Sequence, residues 1–273
     1  MIAFALTLAC MVAQAAPGEV RKLAGDMAFT EGPISDGKGN VYYTDIPNKR
    51  IMKWDGRKNS VWRENSGGAN GLRFDKEGNL WVCEGGAKRV TKLTPDQKVT
   101  VLADKYADKP FNSPNDLCLD AKGGLYFTDP NYSGEKNKTQ EVEGVYYLPP
   151  GGDKVVLVAG DLGRPNGIEM GKERLFIADH RGGKVYSYAV NGDGTLADRK
   201  DFASVVCDGM KLDEKGNLYT TTKKGVEIFA PDGKALGVIE VPEIPTNVCF
   251  DGPTLYITAR KSLYAVETKV KGQ

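Results

Sequence analysis

The chain of 273 residues lacks the motifs of several common enzyme classes. It contains no GxSxG, HExxH or GxGxxG sequence and no phosphate-binding loop, so nucleophilic, zinc and nucleotide chemistry have no sequence support. His180 is the single histidine, which excludes a pair of catalytic histidines. The 37 basic and 36 acidic side chains nearly cancel, leaving no electrostatic footprint for nucleic acid or an anionic membrane. We therefore expect neither as a partner.

Cysteine is scarce, with five residues and no CxxC pair, so these side chains are expected to be small buried hydrophobes. One disulfide would be permitted in an oxidising compartment. The apolar stretch over residues 1–16 is too short to span a bilayer comfortably, and it ends in the small-x-small pattern Ala13-Gln14-Ala15. This pattern predicts a signal peptide over residues 1–15 and export to the periplasm or outside the cell. Residues 16–273 are then expected to form a single domain.

Turns rich in glycine and aspartate recur six times, and each turn follows a short apolar run and leads into a second run. The turns begin at Asp36, Asp75, Asp120, Gly171, Asp213 and Asp251. The second runs are VYYTD at 41, LWVCE at 80, LYFTD at 125, LFIAD at 175, LYTTT at 218 and LYITA at 255. Alternating runs joined by such turns are typical of antiparallel hairpins. The turns begin 38 to 51 residues apart, which matches the length of a four-stranded propeller blade.

Most repeats also contain a third strand-like run, but the last repeat stops after SLYAVE at 262, one strand short. Residues 19–24 (EVRKLA) precede the first repeat and could supply the missing outer strand, which would remove an exposed sheet edge. The sequence therefore predicts an all-β fold. We expect a six-bladed β-propeller of four-stranded antiparallel blades, with the ring closed by the N-terminal strand. The fold is expected to be monomeric or weakly oligomeric.

An oxygen-bearing side chain opens the first run of every repeat: Glu31, Asn70, Asn115, Asn166, Asp208 and Asn247. Five of them lie five residues before the turn, and Asn247 lies four before it. Each alone could be a turn residue that caps its own backbone. The first strands of propeller blades line the central channel, however, and two carboxylates brought together there would repel each other without a cation. A ring of oxygen ligands favours calcium.

With these motifs, the chain resembles the senescence-marker-protein, gluconolactonase and regucalcin-like family of six-bladed propellers. The resemblance rests on EGP at 31, NSPNDL at 113, FTDP at 127, PNGI at 165, DGMKLDEKGNLY at 208 and PTN at 245. It implies that Glu31, Asn166 and Asp208 hold a divalent metal, and that Asn115 contacts metal or substrate. It also implies that Asp208 is the acid/base in lactone hydrolysis. Animal members carry an arginine where this chain has Ser113. The resemblance therefore does not determine which lactone is the substrate.

We therefore expect a calcium-dependent hydrolase of a small sugar lactone. Substrate contacts are expected from Asn70, Asn115, Asn247, Asp129 and His180, although His180 could equally be an exposed loop residue. The segment 136–143 is the longest insertion and falls between the second and third strands of the third repeat, where a loop can border a binding mouth. Two alternatives remain open. One is a non-catalytic binding propeller with a structural metal, and the other is a phosphotriester hydrolase.

Overall fold

The alternating strands and their turns fold into six antiparallel sheets of four strands each, arranged as one ring. A computed structural model of the protein describes residues 18–273. The predicted signal peptide over residues 1–15 lies outside the described residues. Within residues 18–273, no helix has the length and apolar character needed to cross a membrane.

The strands are numbered in chain order, and each blade takes its strands consecutively from the channel outward. Blade one holds β2 (Thr30–Ser35), β3 (Val41–Asp45), β4 (Arg50–Trp54) and β5 (Asn59–Arg63). Blade two holds β6 (Ala69–Phe74), β7 (Leu80–Glu84), β8 (Arg89–Leu93) and β9 (Val99–Ala103). A two-stranded hairpin of β10 (Lys105–Tyr106) and β11 (Lys109–Pro110) follows. Blade three holds β12 (Leu117–Leu119), β13 (Leu125–Asp129), β14 (Gly144–Leu148) and β15 (Val156–Ala159).

Blade four holds β16 (Pro165–Met170), β17 (Arg174–Asp179), β18 (Lys184–Val190) and β19 (Leu196–Ala203). Blade five holds β20 (Met210–Leu212), β21 (Leu218–Thr222), β22 (Gly225–Phe229) and β23 (Ala235–Ile239). Blade six holds β24 (Pro245–Asp251), β25 (Thr254–Ala259), β26 (Ser262–Glu267) and, as its outer strand, β1 (Arg21–Ala24). The only helix among residues 18–273 is a single 3₁₀ turn over Glu135–Asn137, which overlaps the start of the predicted insertion over residues 136–143.

The N-terminal strand closes the ring as predicted. β1 pairs antiparallel with β26, and Arg21 lies opposite Ala265. This pairing gives blade six its fourth strand from the other end of the chain, so the sheet order is β1, β26, β25, β24. The prediction of an all-β propeller with six four-stranded blades is therefore confirmed.

Apolar side chains of neighbouring blades pack against each other and form the core between the sheets. In one such cluster, Tyr42 and Ile51 of blade one pack against Leu72 and Leu80 of blade two. Cys83, Cys118, Cys207 and Cys249 are all buried and free, as small core residues would be. The first strands, which face the channel, therefore hold the polar residues of interest on a rigid, well-packed frame.

Candidate active site

The predicted ring of polar residues meets at one mouth of the channel, where it borders a cavity of about 440 Å³. Five of the six residues line this cavity: Glu31, Asn70, Asn115, Asn166 and Asp208. Each lies at or just before the start of a first strand. Three of these strands carry a register irregularity there, between Glu31 and Ile34, Ala69 and Leu72, and Pro165 and Ile168. Such bulges can turn a side chain out of the sheet and into a site.

Asn247, a predicted substrate contact, does not line the cavity, because it lies one position out of register with the other five residues. Thr246 is the blade-six residue five positions before its turn, and Thr246 lines the cavity in its place. A shift of one residue along a strand moves a side chain to a different face. Asn247 instead lies beneath the cavity, with its amide nitrogen 3.3 Å from a carboxylate oxygen of Asp116 and its own oxygen bonded to the backbone of Val248.

The position after each cavity residue forms a second layer that explains why glycine recurs there. This layer consists of Gly32, Gly71, Asp116, Gly167, Gly209 and Asn247. A Cβ atom on Gly209 would lie 2.1 Å from the side chain of Asn247, and one on Gly71 would lie 2.7 Å from that of Asp116. The glycines therefore leave space for the two polar side chains, and they allow the first strands to approach closely.

Threonines of the second strands hold the cavity residues in place from the neighbouring blade. The hydroxyl of Thr44 donates to the carbonyl of Asn70 at 3.1 Å, and that of Thr128 donates to the carbonyl of Asn166 at 2.8 Å. Thr221 makes the same bond to Thr246 at 2.8 Å. These bonds fix the backbone at three of the six cavity positions, so the ring is preorganised.

The two carboxylates in the ring destabilise each other. Glu31 is buried, and its burial, together with the nearby charge of Asp208, raises its pKa well above the usual range. Burial raises the pKa of Asp208 to about 6, with His180 and Arg260 opposing the shift electrostatically. The Asp116 carboxyl beneath them also has a raised pKa, chiefly because of burial, although Lys211 counteracts this. A cation between the two cavity carboxylates would remove their repulsion.

The hydrogen bonding of the ring also leaves oxygen atoms available to a ligand. The amide nitrogen of Asn166 donates to the hydroxyl of Tyr132 at 2.6 Å, which directs the amide oxygen elsewhere. The backbone of Asn115 bonds to Thr128, while its side chain borders the cavity. Carboxylate and amide oxygens suit a hard divalent ion such as Ca²⁺. Residues 18–273 contain no group of three or more His, Cys, Asp or Glu side chains arranged for a metal, so the amide oxygens would have to complete the ligand set.

Of the two other predicted substrate contacts, His180 and Asp129, the structure brings only His180 to the cavity. His180 lines the cavity, and its Nδ1 atom lies 3.0 Å from the carbonyl oxygen of Cys207, which leaves Nε2 unengaged by that contact. Asp129 is fully buried, and its carboxylate accepts the backbone N–H groups of Asn112 at 2.8 Å and Ser113 at 2.6 Å. Asp129, the other predicted substrate contact, therefore does not line the cavity. Asp129 instead fixes the loop that brings Ser113 into the cavity wall.

The sequence analysis does not predict a buried ion cluster that lies at the opposite mouth of the channel. Glu169 lies 3.1 Å from Nη2 of Arg73 and 2.8 Å from Nζ of Lys211. Burial alone would raise the pKa of Glu169, but the two cations lower it overall. All three residues lie two positions before their turns, in strands that are otherwise mostly apolar. The charged residue at that repeated position is the sequence feature from which the ion cluster could have been predicted.

Comparison with known proteins gives matches over most of the chain. The sequence matches the family described as the SMP-30/Gluconolactonase/LRE-like region over residues 29–261. It is 31% identical to a gluconolactonase of Zymomonas mobilis, covering 93% of this chain and 82% of that protein. It is 24% identical to diisopropyl-fluorophosphatase of Loligo vulgaris, covering 88% of each. The fold matches that of a gluconolactonase from Xanthomonas campestris with a TM-score of 0.87 and 29% identity, covering 96% of this chain and 93% of that one.

Proposed function

Because the chain belongs to the SMP-30/gluconolactonase/LRE-like family and is similar to a gluconolactonase, we propose that it performs the calcium-dependent hydrolysis of a sugar lactone. The observation that carries this proposal is the meeting of two carboxylates and three amides at one cavity. The apolar segment over residues 1–15 supports the further proposal that the reaction takes place in the periplasm or outside the cell.

Glu31, Asn115, Asn166 and Asp208 are the residues that would hold the ion. A bound divalent cation supplies a Lewis acid that polarises the lactone carbonyl and stabilises the developing oxyanion. Asn70 and His180, which border the same cavity, are proposed to bind the lactone hydroxyl groups.

Asp208 is the proposed acid/base. Its carboxylate takes a proton from the attacking water as the water oxygen bonds to the carbonyl carbon. The bond between that carbon and the ring oxygen then breaks, and the ring oxygen receives the proton, which yields the open hydroxy acid. Proton transfer of this kind contributes on the order of 10²–10⁴-fold to the rate.

Replacement of Asp208 by asparagine tests this assignment. The D208N variant keeps the shape of the side chain and removes the base, so we expect the kcat on glucono-1,5-lactone to fall by at least ~10²-fold. The matched control is Asp232→Asn in an exposed turn far along the same blade. The rate of acid release at constant pH measures the activity of both variants, and circular dichroism confirms that each variant is folded. Activity of D208N equal to that of D232N would remove Asp208 from the mechanism.

A chelation experiment distinguishes an enzyme that needs the ion for its reaction from a binding propeller in which the ion is only structural. If the ion serves the reaction, excess EDTA abolishes lactone hydrolysis, and added Ca²⁺ restores it. A protein that gains thermal stability from Ca²⁺ but hydrolyses no lactone would instead be a binding propeller.

The relationship to a diisopropyl-fluorophosphatase favours a second candidate, the hydrolysis of a phosphotriester. The same carboxylates and ion could serve a phosphoryl oxygen in place of a lactone carbonyl. Rates on a sugar lactone and on a phosphotriester, measured with one preparation, rank the two activities directly.

A further inference from the structure

The residue that directly follows the second strand of each blade occupies a repeated position, which we call the rim position. The six rim residues are Ile46, Gly85, Pro130, His180, Lys223 and Arg260. Four of them line the cavity: Ile46, His180, Lys223 and Arg260. The two residues with a fixed positive charge, Lys223 and Arg260, come from the adjacent blades five and six. The rim is therefore basic on one side, while blades one to three contribute an isoleucine, a glycine and a proline.

The charges of Lys223 and Arg260 are not used in ion pairs. Among residues 18–273, neither has a carboxylate oxygen within 4.0 Å, whereas the neighbouring Lys224 pairs with Glu227 at 3.5 Å. The guanidinium of Arg260 instead lies over the ring of Phe29, 5.6 Å from its centroid, and Phe29 also lines the cavity. This contact holds the charge against the cavity wall.

The strand that precedes each rim residue shows why no acid neutralises these cations. In blades one to four the last residue of the second strand is acidic: Asp45, Glu84, Asp129 and Asp179. In blades five and six the equivalent residues are Thr222 and Ala259. The acid is thus missing at this position in the two blades that carry a fixed positive charge at the rim, and Asp208 in the cavity acts on Arg260 only electrostatically, without an ion pair.

The backbone of Arg260 is strained, and it is one of ten non-glycine residues with a positive φ among residues 18–273. Its φ is 44°, in the left-handed region, at the first position of the two-residue turn between Ala259 and Ser262. Glycine is the usual residue at such a position in a hairpin turn. The carbonyl of Arg260 accepts a hydrogen bond from the backbone of Thr30 at 2.7 Å, which ties the turn to blade one. A strained arginine that surrounding bonds hold in place is a feature commonly found at functional sites.

We propose that Lys223 and Arg260 form a subsite for an anionic group of the substrate, so that the preferred lactones carry a carboxylate or phosphate remote from the ring carbonyl. This inference rests on the proposed lactone hydrolysis at the cavity. The cavity acids, Glu31 and Asp208, lie at the ring of candidate ligands, while the two cations lie on the rim turns of blades five and six. The substrate is oriented with its carbonyl toward the ligand ring and its anionic group toward these turns. Charge-assisted contacts with a carboxylate or phosphate are stronger than neutral ones.

Steady-state kinetics on three lactones tests the proposal. The substrates are neutral glucono-1,5-lactone, the monolactone of an aldaric acid and a 6-phosphorylated aldonolactone, and the last two distinguish a carboxylate from a phosphate. We expect kcat/KM to be at least tenfold higher for one of the anionic substrates than for the neutral one. In the double variant K223M/R260G this preference falls at least tenfold, through KM. Glycine at residue 260 also relieves the backbone, so loss of folding cannot account for the change. Lys224→Met is the matched control and keeps the preference.

Equal use of neutral and anionic lactones by the wild type overturns the proposal, as does an equal loss on all three substrates in the double variant. Isothermal calorimetry with the open aldarate dianion gives a readout that needs no turnover. Weaker binding of this dianion to K223M/R260G supports the subsite even if no lactone is hydrolysed, in which case only the proposed function fails. Dianion binding that is equal in wild type and double variant overturns the subsite.

Discussion

Replacing Gly167 with alanine tests whether the glycine after a candidate ligand is needed for two blades to meet. A Cβ atom at residue 167 would lie 2.4 Å from the carbonyl oxygen of Asp208 and 3.0 Å from the Cα atom of Gly209. The backbone N–H of Gly167 also donates to that carbonyl at 2.8 Å. The added methyl group must therefore push apart the segments that carry Asn166 and Asp208.

The expected cost follows from three terms. Overpacking of a dense interior costs about 1–3 kcal/mol, and the weakened hydrogen bond adds about 1 kcal/mol. Alanine recovers about 0.4–1 kcal/mol because it restricts the unfolded chain. We therefore expect the free energy of unfolding to fall by about 2 kcal/mol. For a chain of this length, such a loss lowers the Tm by about 4–8 °C.

Gly192→Ala is the matched control, because a Cβ atom there meets nothing within 4 Å and its φ lies outside the left-handed region. G192A should be neutral or slightly more stable than the wild type. Differential scanning calorimetry of both variants, with and without Ca²⁺, measures the effect. The ion should also stabilise G167A less than the wild type, since two candidate ligands flank the displaced contact. A Tm of G167A within 1 °C of that of G192A would refute this account of the repeated glycine.

Three further results are expected. Burial raises the pKa of Asp208 to about 6, so protons compete with the cation below that pH. The Kd for Ca²⁺ measured by calorimetry should therefore rise about tenfold as the pH is lowered from 8 to 5. A Kd that stays constant over this range would contradict a carboxylate ligand. Glu169→Gln leaves the buried Lys211 and the partly buried Arg73 uncompensated and should lower the free energy of unfolding in urea by about 3–5 kcal/mol, whereas the exposed Glu173→Gln should have little effect. Asp129→Asn removes one of the two side-chain oxygens that accept backbone N–H groups and should cost about 1–3 kcal/mol, so unchanged stability would argue against its role in fixing the loop.

The sequence predicts the propeller well because the features that define it are local and repeated. Each second strand carries its alternation within five or six residues, and five of the six turns carry both an aspartate and a glycine. Counting back five residues from each turn finds Glu31 and Asp208, because every blade repeats the same hairpin. The same count identifies Thr246, whereas the choice of a carboxylate or an amide in every repeat selects Asn247. The difference is one residue of register, which is enough to move a side chain out of the cavity.

The rest of the site could not be predicted because it depends on contacts between blades and on turns of unequal length. The turn after the second strand has two residues in blade six but spans residues 130–143 in blade three. Alignment by repeat therefore says little about where Tyr132 will lie. The role of Asp129 could not be predicted for a different reason, since an acidic residue at the end of a strand can face either a ligand or its own loop. Only the hydrogen bonds to Asn112 and Ser113 decide between these roles.

The closure of the ring by β1 makes the order of folding depend on both ends of the chain. β1 leaves the ribosome before any of the other strands, yet its partner β26 ends at Glu267. Blade six, which carries Arg260, therefore cannot be completed until the polypeptide has been synthesised as far as β26, and such distant pairing is slow. A polypeptide truncated before β26 would keep an unpaired strand at its N-terminal end. That free edge could pair with another molecule and begin aggregation.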